Sequence, residues 1–120
     1  MTNKVRTAVL ISGRGSNLAA LIKACSAPEF PAQIALVFSN VETAEGLGIA
    51  AAAGIPTKTV SHKEFASREA FDAAIDSALT EARIELVCEA GFMRIHSDAF
   101  VRKWQGRMLN IHPRPSAMSV

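Results

Sequence analysis

The chain has 120 residues, 49% of them apolar and 20% charged, with a formal net charge of +2. That length suits one domain with a core of its own rather than two. So small a charge, with no basic run carrying interleaved aromatics, argues against nucleic acid or an anionic membrane as the main partner.

The first apolar run, Val5–Ile11, contains Arg6 and Thr7. It is too short for an export signal or a membrane span, so a cytoplasmic location is expected. It reads instead as a buried strand. A helix starts at Ser16 or Asn17, runs through Leu18, Leu21 and Ile22, and breaks at Ala27-Pro28-Glu29-Phe30-Pro31. Residues 33–39 (QIALVFS) give the second strand. Residues 43–53 are an alanine-rich helix ended by Gly54, a position that can take positive φ. Residues 55–60 give a short third strand. Ser67 then caps a helix whose apolar face is Ala70, Phe71, Ala74, Ile75, Ala78 and Leu79. Residues 84–90 (IELVCEA) form the fourth strand, 97–104 a short helix carrying Phe100 and Trp104 as packing residues, and 107–111 (RMLNI) the fifth strand. Cys25 and Cys88 lie far apart without a C-x-x-C spacing and read as small buried hydrophobes.

Strict alternation of strand and helix makes this an α/β fold: a Rossmann-like open parallel sheet with helices on both faces. The expected strand order is 3-2-1-4-5. Ligands of such sheets sit outside the carboxyl ends of the strands. Three segments fall there: residues 12–17, 91–96 and 110–113.

The first is glycine-rich, Ser12-Gly13-Arg14-Gly15-Ser16-Asn17. Gly13 and Gly15 allow a tight turn and close approach of an anion, and the amides of Gly15, Ser16 and Asn17 would point at a phosphate. The same residues also suit an ordinary strand-to-helix turn with Ser16 as its cap. No Gly-Lys pair is present, which excludes a Walker loop. Leu18 stands where a dinucleotide fingerprint needs its third glycine, and the second strand ends in Ser39-Asn40 without an acid for a ribose diol. The loop therefore suits a single phosphate better than a pyrophosphate. At the other end, Asn110 and His112 are two residues apart and share a face of the fifth strand, with Pro113 fixing its exit. An amide can hold an oxyanion and an imidazole can move a proton near neutral pH. A capping Asn and a surface His remain the alternative. His62, His96 and His112 have no metal-ligand spacing, so no metal is expected.

Taken together and in order, Ser12-Gly13-x-Gly15-Ser16-Asn17, Phe38-Ser39-Asn40, Ser67-Arg68-Glu69, Ala90-Gly91-Phe92-Met93-Arg94-Ile95 and Asn110-Ile111-His112-Pro113 resemble the phosphoribosylglycinamide formyltransferases over residues 4–113. The resemblance implies formyl transfer from 10-formyltetrahydrofolate to phosphoribosylglycinamide in purine biosynthesis. It implies that Gly15, Ser16 and Asn17 hold the ribonucleotide phosphate. Arg68, Met93, Arg94, Ile95 and His96 would contact the folate, as would Asn110. Asn110 and His112 would be catalytic. The partners implied are these small molecules, acting on a monomer or weak homodimer.

The chain also departs from that pattern. Residues 1–113 read as the N-terminal part of the formyltransferase domain, whereas 114–120 do not match. The family's catalytic aspartate has no counterpart here. The expectation is a sheet truncated on its C-terminal side, from a shortened or frame-shifted product or a deliberate fragment. Such a chain could be a non-catalytic phosphoribosyl-binding fragment; a formyltetrahydrofolate deformylase is the other alternative. Glu89 and His96 each stand where the family usually has an apolar residue. Glu89 should shift its titration or find a partner. A partly exposed, tolerated Glu89 and a stand-in carboxylate beside His112 are the two readings, and His96 reads as simple variation.

Overall fold

The computed structural model describes residues 4–13, 15–92, 96–111 and 118–119. β1 (Val5–Ile11) lies at the centre, parallel to β2 (Ala32–Ser39) on one side and β4 (Leu86–Ala90) on the other. β3 (Thr57–Thr59) pairs outside β2, and β5 (Met108–Ile111) outside β4. The expected order of five parallel strands is therefore observed. A sixth, β6 (Met118–Ser119), runs antiparallel to β5, so the full order is β3-β2-β1-β4-β5-β6. Two residues carry no readable period, which is why this strand escapes a sequence reading.

Burial on both faces explains why β1 reads as an unbroken apolar run: Ala8, Val9, Leu10 and Ile11 are all inaccessible. Alternation splits them between two cores. Ala8 and Leu10 join Phe38 beneath α3 (Arg68–Glu81) and α4 (Asp98–Trp104), which supply Phe71, Ile75, Leu79, Phe100 and Trp104. Val9 and Ile11 join Val37 beneath α1 (Ser16–Cys25) and α2 (Glu45–Ala52), which supply Leu18 and Ala50. Cys88 is buried in this second core as expected, while Cys25 is only half-buried. Burial, then the neighbouring Cys25 and Glu89, push the Cys88 thiol up to about 11. No helix among the described residues is long and apolar enough to cross a membrane.

Several elements are shorter than their sequence patterns. β3 keeps only three ladder residues: Pro56 has no N–H to give, although its carbonyl accepts from Val37 N at 3.0 Å. Helix ends are set by specific bonds. Ser67 Oγ accepts from Ala70 N at 3.1 Å, the expected cap of α3. Gly54 takes φ 75 after α2, where Gly54 N and Ile55 N return to the carbonyls of Ala51 and Ala50.

The same motif closes α3, but its left-handed position is Arg83 at φ 58, with Arg83 N and Ile84 N returning to Thr80 and Leu79. A side chain in that region costs about 1–2 kcal/mol, against roughly 0.5–1 kcal/mol of extra unfolded-state freedom for glycine. Arg83→Gly is therefore expected to stabilise the chain by about 0.5–1 kcal/mol in urea unfolding. A lower midpoint for the variant would contradict this account of the turn.

Candidate active site

The glycine-rich loop after β1 owes its shape to Gly15. Gly15 takes φ 82 and occupies the N-cap position of α1, so Ser16 begins the helix instead of capping it. A Cβ on Gly15 would stand 2.6 Å from the Cα of Gly46, the second residue of α2. Gly46 N in turn donates to Gly13 O at 3.2 Å, so the loop rests directly on the start of α2. Gly13 needs no left-handed conformation, and a Cβ there would meet nothing within 4 Å. No acidic residue lies in the first turn of α1, leaving the positive end of the helix uncompensated beside exposed Ser16 and half-buried Asn17.

Ser12 Oγ donates to Asn40 Oδ1 at 2.6 Å, and Asn40 Nδ2 lies 3.3 Å from His62 Nδ1. Buried Asn40 thus ties the loop after β1 to the loops after β2 and β3. The Ser39-Asn40 pair gave no hint of this role in the sequence beyond ending a strand.

Asn110 is exposed near the carboxyl end of β5, opposite Glu89 in β4 and Ser119 in β6. With Glu89, Val101, Gln105 and Met108 it lines a cavity of about 370 Å³ on the α4 side of the sheet. His112, Met93, Arg94 and Ile95 lie outside the described residues. Arg68 is exposed at the first position of α3, one turn before Asp72 and on the same helix face.

Asp72 leads to the arrangement that the sequence hid. His96 turns its ring inward, with its side chain 5% exposed. Nδ1 lies 3.0 Å from Asp72 Oδ1, and Nε2 contacts Glu89 Oε2. Ser97 N donates to the second oxygen of Asp72. The ring is stacked between Phe92, at 5.4 Å and 14°, and Phe100, at 4.2 Å and 16°. Glu89 is therefore neither partly exposed nor without a partner: it is buried and paired with His96. Burial by itself would lower the basicity of His96. The hydrogen bond and charge of Glu89, and then those of Asp72, outweigh it and hold the imidazole above its ordinary value. Both ring nitrogens face carboxylates, so neither is free to meet a ligand. Among the described residues no group of three or more His, Cys, Asp or Glu could hold a metal ion.

Known proteins share this fold. The profile of the family described as formyl transferase matches residues 5–114. The trifunctional purine biosynthetic protein adenosine-3 of Gallus gallus is 55% identical over 93% of this chain and 11% of its own length. Phosphoribosylglycinamide formyltransferase of Escherichia coli K12 is 48% identical over 88% of this chain and 50% of its own. The crystal structure of phosphoribosylglycinamide formyltransferase from Brucella melitensis superposes with a TM-score of 0.89 at 48% identity, covering 92% of this chain and 58% of that one. The chain thus spans about half the length of the single-function relatives it matches. With the parallel order β3-β2-β1-β4-β5, the glycine turn into α1 and the family match over nearly the whole sequence, this chain belongs to the formyl transferase family.

Proposed function

We propose that this chain is the ribonucleotide-binding portion of a cytoplasmic phosphoribosylglycinamide formyltransferase, which moves a formyl group from 10-formyltetrahydrofolate to phosphoribosylglycinamide in purine biosynthesis. The observation that carries the reading is the loop at Gly15: a left-handed turn at the N-terminus of α1, free of first-turn acid. In this reading the amides of Gly15, Ser16 and Asn17 take the phosphate, and the glycinamide end extends along the strand ends toward Asn110. The amine attacks the formyl carbon, the bond from that carbon to the donor's N10 breaks, and the surplus amine proton passes to N10. Asn110 Nδ2 donates to the formyl oxygen as charge develops there. His112, by the match of Asn110-Ile111-His112-Pro113, moves the proton. Arg68 and residues 93–95, by their match to the family motifs, contact the folate, whereas His96 keeps its ring inside the protein. No metal takes part in this scheme, and the chain acts as a monomer or weak homodimer.

Calorimetric titration with phosphoribosylglycinamide and with its unphosphorylated ribosyl analogue tests the reading. The phosphorylated ligand is expected to bind about 10- to 100-fold more tightly, the worth of charge-assisted hydrogen bonds of about 1.5–3 kcal/mol. Equal affinities, or no binding of either, would overturn it. Addition of 10-formyltetrahydrofolate then separates the activities. Formylated amine marks a transferase, free formate without amine consumption marks a deformylase, and binding without turnover marks a binding module.

A further inference from the structure

We propose that His96, held as an imidazolium between Asp72 and Glu89, is a positioning residue that latches the start of α4 and the end of β4 onto α3. Three elements meet at this ring: Asp72 comes from α3, Glu89 from β4, and His96 from the connection between β4 and α4. The latch extends one residue further, because Ser97 N is held by Asp72 while Ser97 Oγ caps α4 by accepting from Phe100 N at 3.3 Å. Stacking against Phe92 and Phe100 sets the plane of the ring.

The protonation state decides whether both arms hold. A neutral imidazole has one N–H, so it can donate to one carboxylate and must present a lone pair to the other. Only the cation donates to both. Asp72 and Glu89 are the charged groups that act on His96. From α4 the ring meets Phe100, and the nearby Asp76 is engaged by Lys103 Nζ at 2.7 Å and Trp104 Nε1 at 3.0 Å. Since the folded His96 is more basic than an ordinary histidine, its contribution is complete below about pH 6.5. It is lost as pH rises through the raised folded value. Glu89 and His96, two polar groups in otherwise apolar surroundings, thereby account for one another.

The bearing of the latch on the folate side of the cleft rests on the function proposed above; the latch itself does not. Its test accordingly uses the ligand-free 120-residue chain. The ring C–H signals of His96 and the amide of Ser97 are followed by NMR against pH, in the wild type and in Glu89→Gln. In the wild type the two probes are expected to share one midpoint above about 6.5, with Ser97 amide exchange, corrected for its intrinsic pH dependence, about tenfold faster beyond it. In Glu89→Gln that midpoint should fall by about one unit and carry the Ser97 transition with it. A simple packing role would lower stability without moving a midpoint. The wild-type titration stands even if the variant folds poorly. The proposal is overturned if His96 titrates in the ordinary range, if Ser97 shows no transition at the His96 midpoint, or if a folded Glu89→Gln leaves that midpoint in place.

Discussion

Gly15→Ala is expected to destabilise the chain by roughly 2–4 kcal/mol and to weaken phosphoribosylglycinamide binding about 10²-fold. Two independent effects add. The backbone at φ 82 costs any side chain about 1–2 kcal/mol. The new Cβ would also stand 2.6 Å from Gly46 Cα and 3.2 Å from Gly46 N, and neither backbone atom can swing aside as a side-chain tip does. Relief requires α1 and α2 to separate, which moves the amides of Ser16 and Asn17 off the proposed phosphate position. Gly13→Ala is the matched control, since it has open space around its Cβ position and no left-handed requirement. Its stability should stay within about 0.5 kcal/mol of wild type. Urea unfolding and ligand titration of both variants check the contrast, and equal behaviour of the two would remove the argument that Gly15 shapes the loop.

That contrast also marks what the sequence can and cannot reveal. The pattern Gly13-x-Gly15 is visible in the chain, but not which glycine needs its freedom. That depends on Gly46, which in the sequence is only one small residue in an alanine-rich helix. The parallel sheet was legible because β1, β2 and β4 are short apolar runs separated by helical periods. Its order followed from analogy with doubly wound sheets. Ser67 was legible as a cap because its partner is three residues away. Arg83 was not legible as a turn, because the residue there is not the glycine that marks such turns. Asp72 was missed for a related reason: on an amphipathic helix a lone aspartate beside Phe71 reads as a solvated position. Only the return of the chain after β4 places it at 3% exposure. Glu89 and His96 drew notice singly, seven residues apart. No local period pairs a strand residue with one beyond the following turn. The glycine-rich loop is a local feature, whereas the buried triad exists only in the tertiary structure.

The triad supplies the second large effect. His96→Leu is expected to destabilise the chain by about 3–5 kcal/mol, because it leaves two buried carboxylates without the cation between them. Glu89→Leu should cost less, about 1–2 kcal/mol, since His96 and Asp72 remain as a neutral pair within one hydrogen bond. The double change Glu89→Leu/His96→Leu makes both positions apolar. It leaves Asp72 only the Ser97 amide as a described partner, and apolar packing replaces the ring between Phe92 and Phe100. A buried ion pair replaced whole by apolar side chains is often close to neutral, whereas one deprived of a single partner is not. The double variant should therefore be more stable than His96→Leu alone, with a coupling of about 1–3 kcal/mol. Urea unfolding of the four proteins near pH 6, below the raised titration of His96, measures that coupling directly. Strict additivity would mean that Glu89 and His96 are independent substitutions, and a His96→Leu variant as stable as wild type would mean that the two carboxylates do not depend on the ring they enclose.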